Sequence, residues 1–107
     1  MTDNALLRRT LEADPARYLK PLKDLVAIDT QVVGHGIAGG REKEGQAYMA
    51  RLLKELGATV TVRQMDEADI ETALARYREG NPGHNYDGRE NVYGFFRGGG
   101  GRSLMFN

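Results

Sequence analysis

Arg41-Glu42-Lys43-Glu44-Gly45-Gln46-Ala47-Tyr48-Met49-Ala50-Arg51-Leu52-Leu53-Lys54-Glu55-Leu56-Gly57-Ala58-Thr59-Val60-Thr61-Val62-Arg63-Gln64-Met65 changes its period halfway along. Up to Leu56, the apolar residues Met49, Leu52, Leu53 and Leu56 fall on one helical face, with Arg51 and Glu55 at i,i+4 spacing on another. Gly57 stands where a helix closes on a left-handed residue. Beyond it Val60 and Val62 alternate with Thr59, Thr61 and Arg63, the period of a strand with one face buried. A helix that passes into a strand through a single glycine predicts an α/β chain, with helices packed on a partial mixed sheet.

Upstream, Leu6, Leu7 and Leu11 give residues 4–13 a weak helical period, and Asp14-Pro15 reads as an N-cap followed by proline in the first turn. The next helix runs to about Ile28 on Tyr18, Leu22, Leu25 and Val26. Pro21 costs about 3 kcal/mol inside a helix, which leaves open a start nearer Leu19. Gly34-His35-Gly36-Ile37-Ala38-Gly39-Gly40 interrupts any regular element and predicts a loop.

Downstream, residues 66–77 return to a helical period through Ile70, Leu74 and Tyr77, and Asn81-Pro82-Gly83 with Asp87-Gly88 marks a long turn. Residues 91–96 are apolar on both faces through Val92, Tyr93, Phe95 and Phe96, as a strand covered above and below would be. Glycines 98–101 then predict a hairpin-like return into a last strand, Ser103-Leu104-Met105-Phe106. Helices near 15–28 and 41–56 are thus expected on strands near 58–65, 90–97 and 102–107. An apolar strand left without a covering layer predicts more sheet beyond Asn107.

Composition narrows the function classes. The 107 residues suffice for one small domain, and 15 basic residues balance 15 acidic ones, so no net field favours nucleic acid. There is no cysteine, hence no disulfide framework, thiolate metal site or cysteine nucleophile. Met1-Thr2-Asp3-Asn4 lacks the apolar run of a signal peptide, and no stretch approaches the roughly 20 apolar residues of a membrane helix. A cytoplasmic protein with neither membrane nor nucleic-acid partner is the expectation.

The pieces Leu22-Lys23-Asp24-Leu25-Val26-Ala27-Ile28-Asp29-Thr30, the glycine loop, the helix from Gly45 into Leu56-Gly57-Ala58, and Gly88-Arg89-Glu90-Asn91-Val92-Tyr93-Gly94 follow one another in a familiar order. Across residues 19–107 that order resembles the zinc-dependent amidohydrolases and exopeptidases typified by acetylornithine deacetylase and succinyl-diaminopimelate desuccinylase. The helix and turn of residues 66–89 are an insertion relative to shorter members. The resemblance implies that residues 1–107 are the incomplete N-terminal portion of a three-layer catalytic domain. It implies a complete protein that holds one or two zinc ions and cleaves an amide bond of an N-acyl amino acid or small peptide. In such proteins a Gly-His-x-Asp zinc-ligand signature follows the strand that here ends at Phe106-Asn107. This chain therefore inherits no catalytic, cofactor-binding or metal residue, and is expected to be inactive alone.

The remaining candidates are read on their own terms. His35 and His84 lie in separate glycine-flanked loops without metal-ligand spacing and are expected to be solvated. Glu42 with Glu44, and Asp66 with Glu67, are expected on the solvated surface. Ser103, the sole serine, has no nucleophile-elbow context. Gly34-His35-Gly36-Ile37-Ala38-Gly39 spells Gly-x-Gly-x-x-Gly before a helix, with Asp66 as a ribose partner, which defines a dinucleotide-binding alternative. Against it, Lys23, Asp24, Asp29 and Gln31 occupy the place of a buried strand, and two glutamates open the helix where a pyrophosphate would sit. A third reading is an interaction module that uses the apolar strand 103–106 as an exposed edge, with self-association as one outcome.

Overall fold

The Thr2 hydroxyl accepts the Ala5 N–H at 3.4 Å and starts helix α1, Asp3–Ala13. Asp14 repeats the device for α2, Pro15–Ala27. Its carboxylate accepts the Arg17 N–H at 3.1 Å, and Pro15, with no N–H to lose, takes the first turn. These contacts belong to a computed structural model, which describes residues 2–78 and 83–107. Pro21 lies inside α2, so the helix does not wait until Leu19 to begin. Proline frees the carbonyl four residues back, and α2 is exposed along most of its length, so water reaches that carbonyl.

The glycine loop is not wholly irregular. Strand β1, Val32–Val33, pairs antiparallel with β2, Gly39–Gly40, across a 3-10 turn at Gly34–Gly36. Helix α3, Lys43–Glu55, follows. Its C-terminus is a Schellman motif: the Gly57 N–H bonds Lys54 O, the Ala58 N–H bonds Leu53 O, both at 2.9 Å, and Gly57 has φ +93°. Arg51 lies over the Tyr48 ring, 6.0 Å from its centre, instead of pairing with Glu55.

Strand β3, Thr59–Gln64, leads into α4, Glu67–Tyr77, and the chain returns as β4, Glu90–Phe95. Asp66 caps α4, its carboxylate accepting the Ala68 N–H at 2.8 Å. The Asn81-Pro82 part of the expected turn lies outside the described residues. β3 and β4 are antiparallel, with Val60 opposite Gly94 and Val62 opposite Val92. The Leu53 side chain sits where a Gly94 Cβ would stand, 2.9 Å away, so α3 rests on this valine face.

Three expectations are corrected. The sheets are not mixed: both described pairings are antiparallel. β4 is not covered on both faces: Tyr93 is 54% and Phe95 67% exposed on the side away from α3, because no described element packs there. Residues 102–107 form no strand, and Leu104, Met105 and Phe106 are 80%, 86% and 89% exposed. Four glycines are entropically costly to order, and a tail that makes no ladder bond does not offset that cost.

No described hydrophobic residue is buried. The accessible surface is 9384 Å², against about 5,900 Å² for a compact protein of this mass. The radius of gyration is 18.0 Å, against about 13 Å. The described residues form local elements, with α3 packed on the β3–β4 ladder, but no closed core. No described helix is long and apolar enough to cross a membrane.

Candidate functional site

The densest polar contacts gather where the glycine loop, the start of α3 and residues 83–90 meet. The loop is shaped by residues in left-handed backbone: Gly34 at φ +59°, His35 at +53°, Gly36 at +90° and Gly39 at +104°. At Gly36 the requirement is also steric. A Cβ there would stand 2.7 Å from His84 Cδ2 and 3.3 Å from Arg89 Nη1. The second strand of contact is backbone, since the Asn85 N–H donates to Gly36 O at 2.8 Å.

Arg89 organises the junction. Its Nε donates to Glu42 Oε1 at 3.0 Å, Nη2 lies 2.8 Å from the same oxygen, and Nη1 reaches Asn85 O at 3.3 Å. Its guanidinium also lies 5.5 Å from the Tyr86 ring centre. The Arg89 and Glu42 side chains are only 18% and 22% exposed. The Glu42 carboxylate occupies the space a Gly40 side chain would fill, and its Oε2 is buried without a hydrogen-bond partner. One turn along, Gln46 Oε1 accepts the Glu90 N–H at 3.3 Å and registers α3 on the start of β4.

A second junction joins α2 to α3. The Tyr48 hydroxyl donates to Asp24 Oδ2 at 2.8 Å, and Lys20 Nζ reaches the same oxygen at 2.5 Å. The Lys20 hydrogen bond first, and that of Tyr48 second, hold the Asp24 carboxyl below the usual carboxylate range. The same contacts raise Tyr48 and Lys20. Arg41 bonds Asp29 at 2.6 Å and, with the Gln31 N–H, lowers its pKa.

The expected sites fare differently. His35 is exposed as expected, but His84 is half-buried against Gly36, with its ring 6.1 Å from Tyr86. Glu44 is exposed, whereas Glu42 is not a solvated surface acid. Asp66 serves as a helix cap and Ser103 lies in the exposed tail. The Gly-x-Gly-x-x-Gly run does not follow a buried parallel strand. It follows the exposed two-residue strand β1 and turns it back onto β2 as an antiparallel pair. That is not the strand-turn-helix frame on which a pyrophosphate site depends.

Arg89 was invisible to spacing arguments, because its partner is 47 positions away and nothing local marks either residue. A recess of about 140 Å³ between α4 and residues 83–86 is lined by Ile70, Leu74, His84 and Tyr86 together with Glu67 and Glu71. Among the described residues no three His, Asp or Glu side chains are grouped so as to hold a metal ion. The chemistry on display is clamping, with Arg89 and Glu42 fixing the loop against the sheet. Compared with known proteins, the chain matches no family model, no curated protein and no solved structure.

Proposed function

We propose that this chain is the N-terminal part of the catalytic domain of a metal-dependent hydrolase that cleaves amide bonds of N-acyl amino acids or small peptides, and that it is inactive alone. The observation that carries the reading is the half-built layer. α3 packs Leu53 against Gly94 on one face of the β3–β4 ladder and leaves Val60 and Val92 half-buried there, with Val62 still 45% exposed, while Tyr93 and Phe95 lie open on the other face at 54% and 67%. A sheet with aromatic residues on its second face is what a three-layer domain would cover with further helices. The order of helix, Gly57 stop, strand, second strand and glycine run is also the order on which the resemblance rests.

In this reading one or two zinc ions belong to the complete protein, and this chain's side chains do not fit one. Its own part is scaffolding: Gln46, Glu42 and Arg89 fix the start of β4 and the glycine loop relative to α3. Reading the DNA downstream of Asn107 tests the proposal. A frame that continues into Gly-His-x-Asp, and later supplies an Asp, a Glu-Glu pair and a distal His, supports it. A stop codon directly after Asn107, with no adjoining homologous frame, overturns it.

A further inference from the structure

We propose that Asp87 is a site of self-modification, where the main chain rearranges through a cyclic imide to isoaspartate and thereby releases the Arg89–Glu42 clamp. Asp87-Gly88 is the sole place in the sequence where glycine follows an aspartate or asparagine. The following residue matters because its amide nitrogen must reach the side-chain carboxyl, and glycine brings no Cβ to obstruct that approach. The fold leaves both reacting groups available. Asp87 is exposed, and among the described residues its carboxylate makes no hydrogen bond or ion pair and the Gly88 N–H donates to nothing. Gly88 has φ +66°, and a Cβ there would meet nothing within 4 Å. Other aspartates are already engaged: Asp14 and Asp66 cap helices, Asp24 holds Lys20 and Tyr48, and Asp29 holds Arg41 and the Gln31 N–H.

The rearrangement needs no co-reactant but water. The Gly88 nitrogen attacks Cγ of the neutral Asp87 carboxyl; a C–N bond forms, and the nitrogen's proton leaves with the carboxyl hydroxyl as water. Water then opens the imide ring. Addition at Cγ breaks the new bond and restores aspartate, whereas addition at the main-chain carbonyl breaks the original peptide bond and leaves Gly88 attached through Cγ beside a free α-carboxylate. The second outcome puts one extra carbon in the main chain. That carbon falls between fixed points. Ahead of it the Asn85 N–H donates to Gly36 O at 2.8 Å and Gln64 Nε2 donates to Tyr86 O at 2.6 Å. Behind it Arg89 holds Glu42, and the Glu90 N–H donates to Gln46 Oε1 at 3.3 Å. The Arg89 N–H closes the turn on Tyr86 O at 3.0 Å, across Asp87 and Gly88. A longer link inside so short a turn shifts Arg89 relative to Asn85, so the pair with Glu42 and the entry to β4 loosen together. The inference does not depend on the hydrolase reading.

The test is prolonged incubation of the full chain in neutral buffer, followed by peptide mapping with electron-transfer fragmentation, which tells isoaspartate from aspartate. The expected result is isoaspartate that accumulates at Asp87 and stays at background at Asp24, Asp29 and Asp66. The isomerised and unmodified forms, separated by ion exchange, should then differ in amide exchange, with protection at Asn85 and Glu90 lost in the isomerised form alone. Asp87→Ser keeps a turn-forming residue but cannot cyclise, so it should hold its protection through the same incubation. Asp87→Asn, whose side chain loses ammonia in the same ring closure, should reach the isoaspartate form faster. No isoaspartate at Asp87, isoaspartate spread evenly over the aspartates, an isomerised chain with undiminished protection, or an Asp87→Ser chain that loses protection equally would each overturn the proposal.

Discussion

Arg89 holds Glu42 across 47 positions of sequence, with Nε and Nη2 both within 3.0 Å of Oε1. This pair ties the first turn of α3 to the segment that enters β4, and through Asn85 it also fixes the glycine loop. Replacing Arg89 with methionine keeps much of the stem's packing but strands a largely buried carboxylate. A hydrogen bond to a charged group is worth about 1.5–3 kcal/mol, so Arg89→Met should weaken local closure by about 2 kcal/mol. Amide exchange at Asn85 and Glu90 reads this directly, with a loss of protection of roughly thirtyfold. Arg89→Met combined with Glu42→Gln should recover part of the loss, because the neutral amide is cheaper to leave unpaired. Undiminished protection in the single variant would show that the clamp is ornamental.

Gly57 is the second test. Its φ of +93° closes the Schellman motif, and the space around it is open, so the objection to a side chain is conformational and not steric. Gly57→Ala should cost about 1–2 kcal/mol of α3 stability. Gly98→Ala is the control: no left-handed angle is required there and nothing lies within 4 Å, so it should be close to neutral. Urea titration followed by circular dichroism of the two variants separates the cases.

Much of the secondary structure was legible because local chemistry wrote it. Asp14-Pro15, Leu56-Gly57 and the Val60/Val62 alternation each mark a boundary within a few residues of where it lies. What failed was long-range. The apolar character of Tyr93 and Phe95 predicts a cover that no described element supplies, and Leu104 to Phe106 predict a strand that does not form among the described residues. The candidate site was legible only in its glycines. Glu42 looks like any surface acid until the fold brings Arg89 to it, and His84 looks solvated until Gly36 makes room for its ring. Strand periodicity records which faces prefer burial, not whether the covering layer is present.

The α2–α3 junction gives a pH dependence with a definite sign. The carboxyls of Asp24 and Asp29 have lowered pKa values, so their contribution is present above the unfolded carboxylate pKa of about 4 and is lost as pH falls through the lower folded values. Tyr48 and Lys20 have raised values. Their contribution is present below the unfolded pKa near 10 and is lost as pH rises through the higher folded values. Docking of α2 should therefore hold across the neutral range and loosen at both extremes. Amide exchange across α2 at acidic, neutral and alkaline pH checks this. Asp24→Asn should flatten the acid limb at α2, whereas Asp29→Asn should leave α2 unchanged and act on the Gln31 and Arg41 contacts.

The last prediction concerns metal. A zinc site needs three or four nitrogen, sulfur or carboxylate ligands converging within about 2.0–2.3 Å of one point. This chain has two histidines and no cysteine. His35 is exposed in left-handed backbone, while the His84 ring lies against Gly36 and beside Tyr86. Glu42 is already committed to Arg89 through Oε1, and among the described residues no three His, Asp or Glu side chains are grouped so as to hold a metal ion. The 107-residue chain, loaded with zinc and then dialysed, should therefore retain far less than one equivalent by elemental analysis. It should also leave N-acetylated amino acids intact with or without added metal. The Arg89→Met variant sharpens the measurement, since it releases the Glu42 carboxylate without adding a ligand nearby and should still bind no zinc. Stoichiometric zinc surviving dialysis, or turnover that a chelator abolishes, would mean that ligands gather from this chain alone and that its role is more than scaffolding.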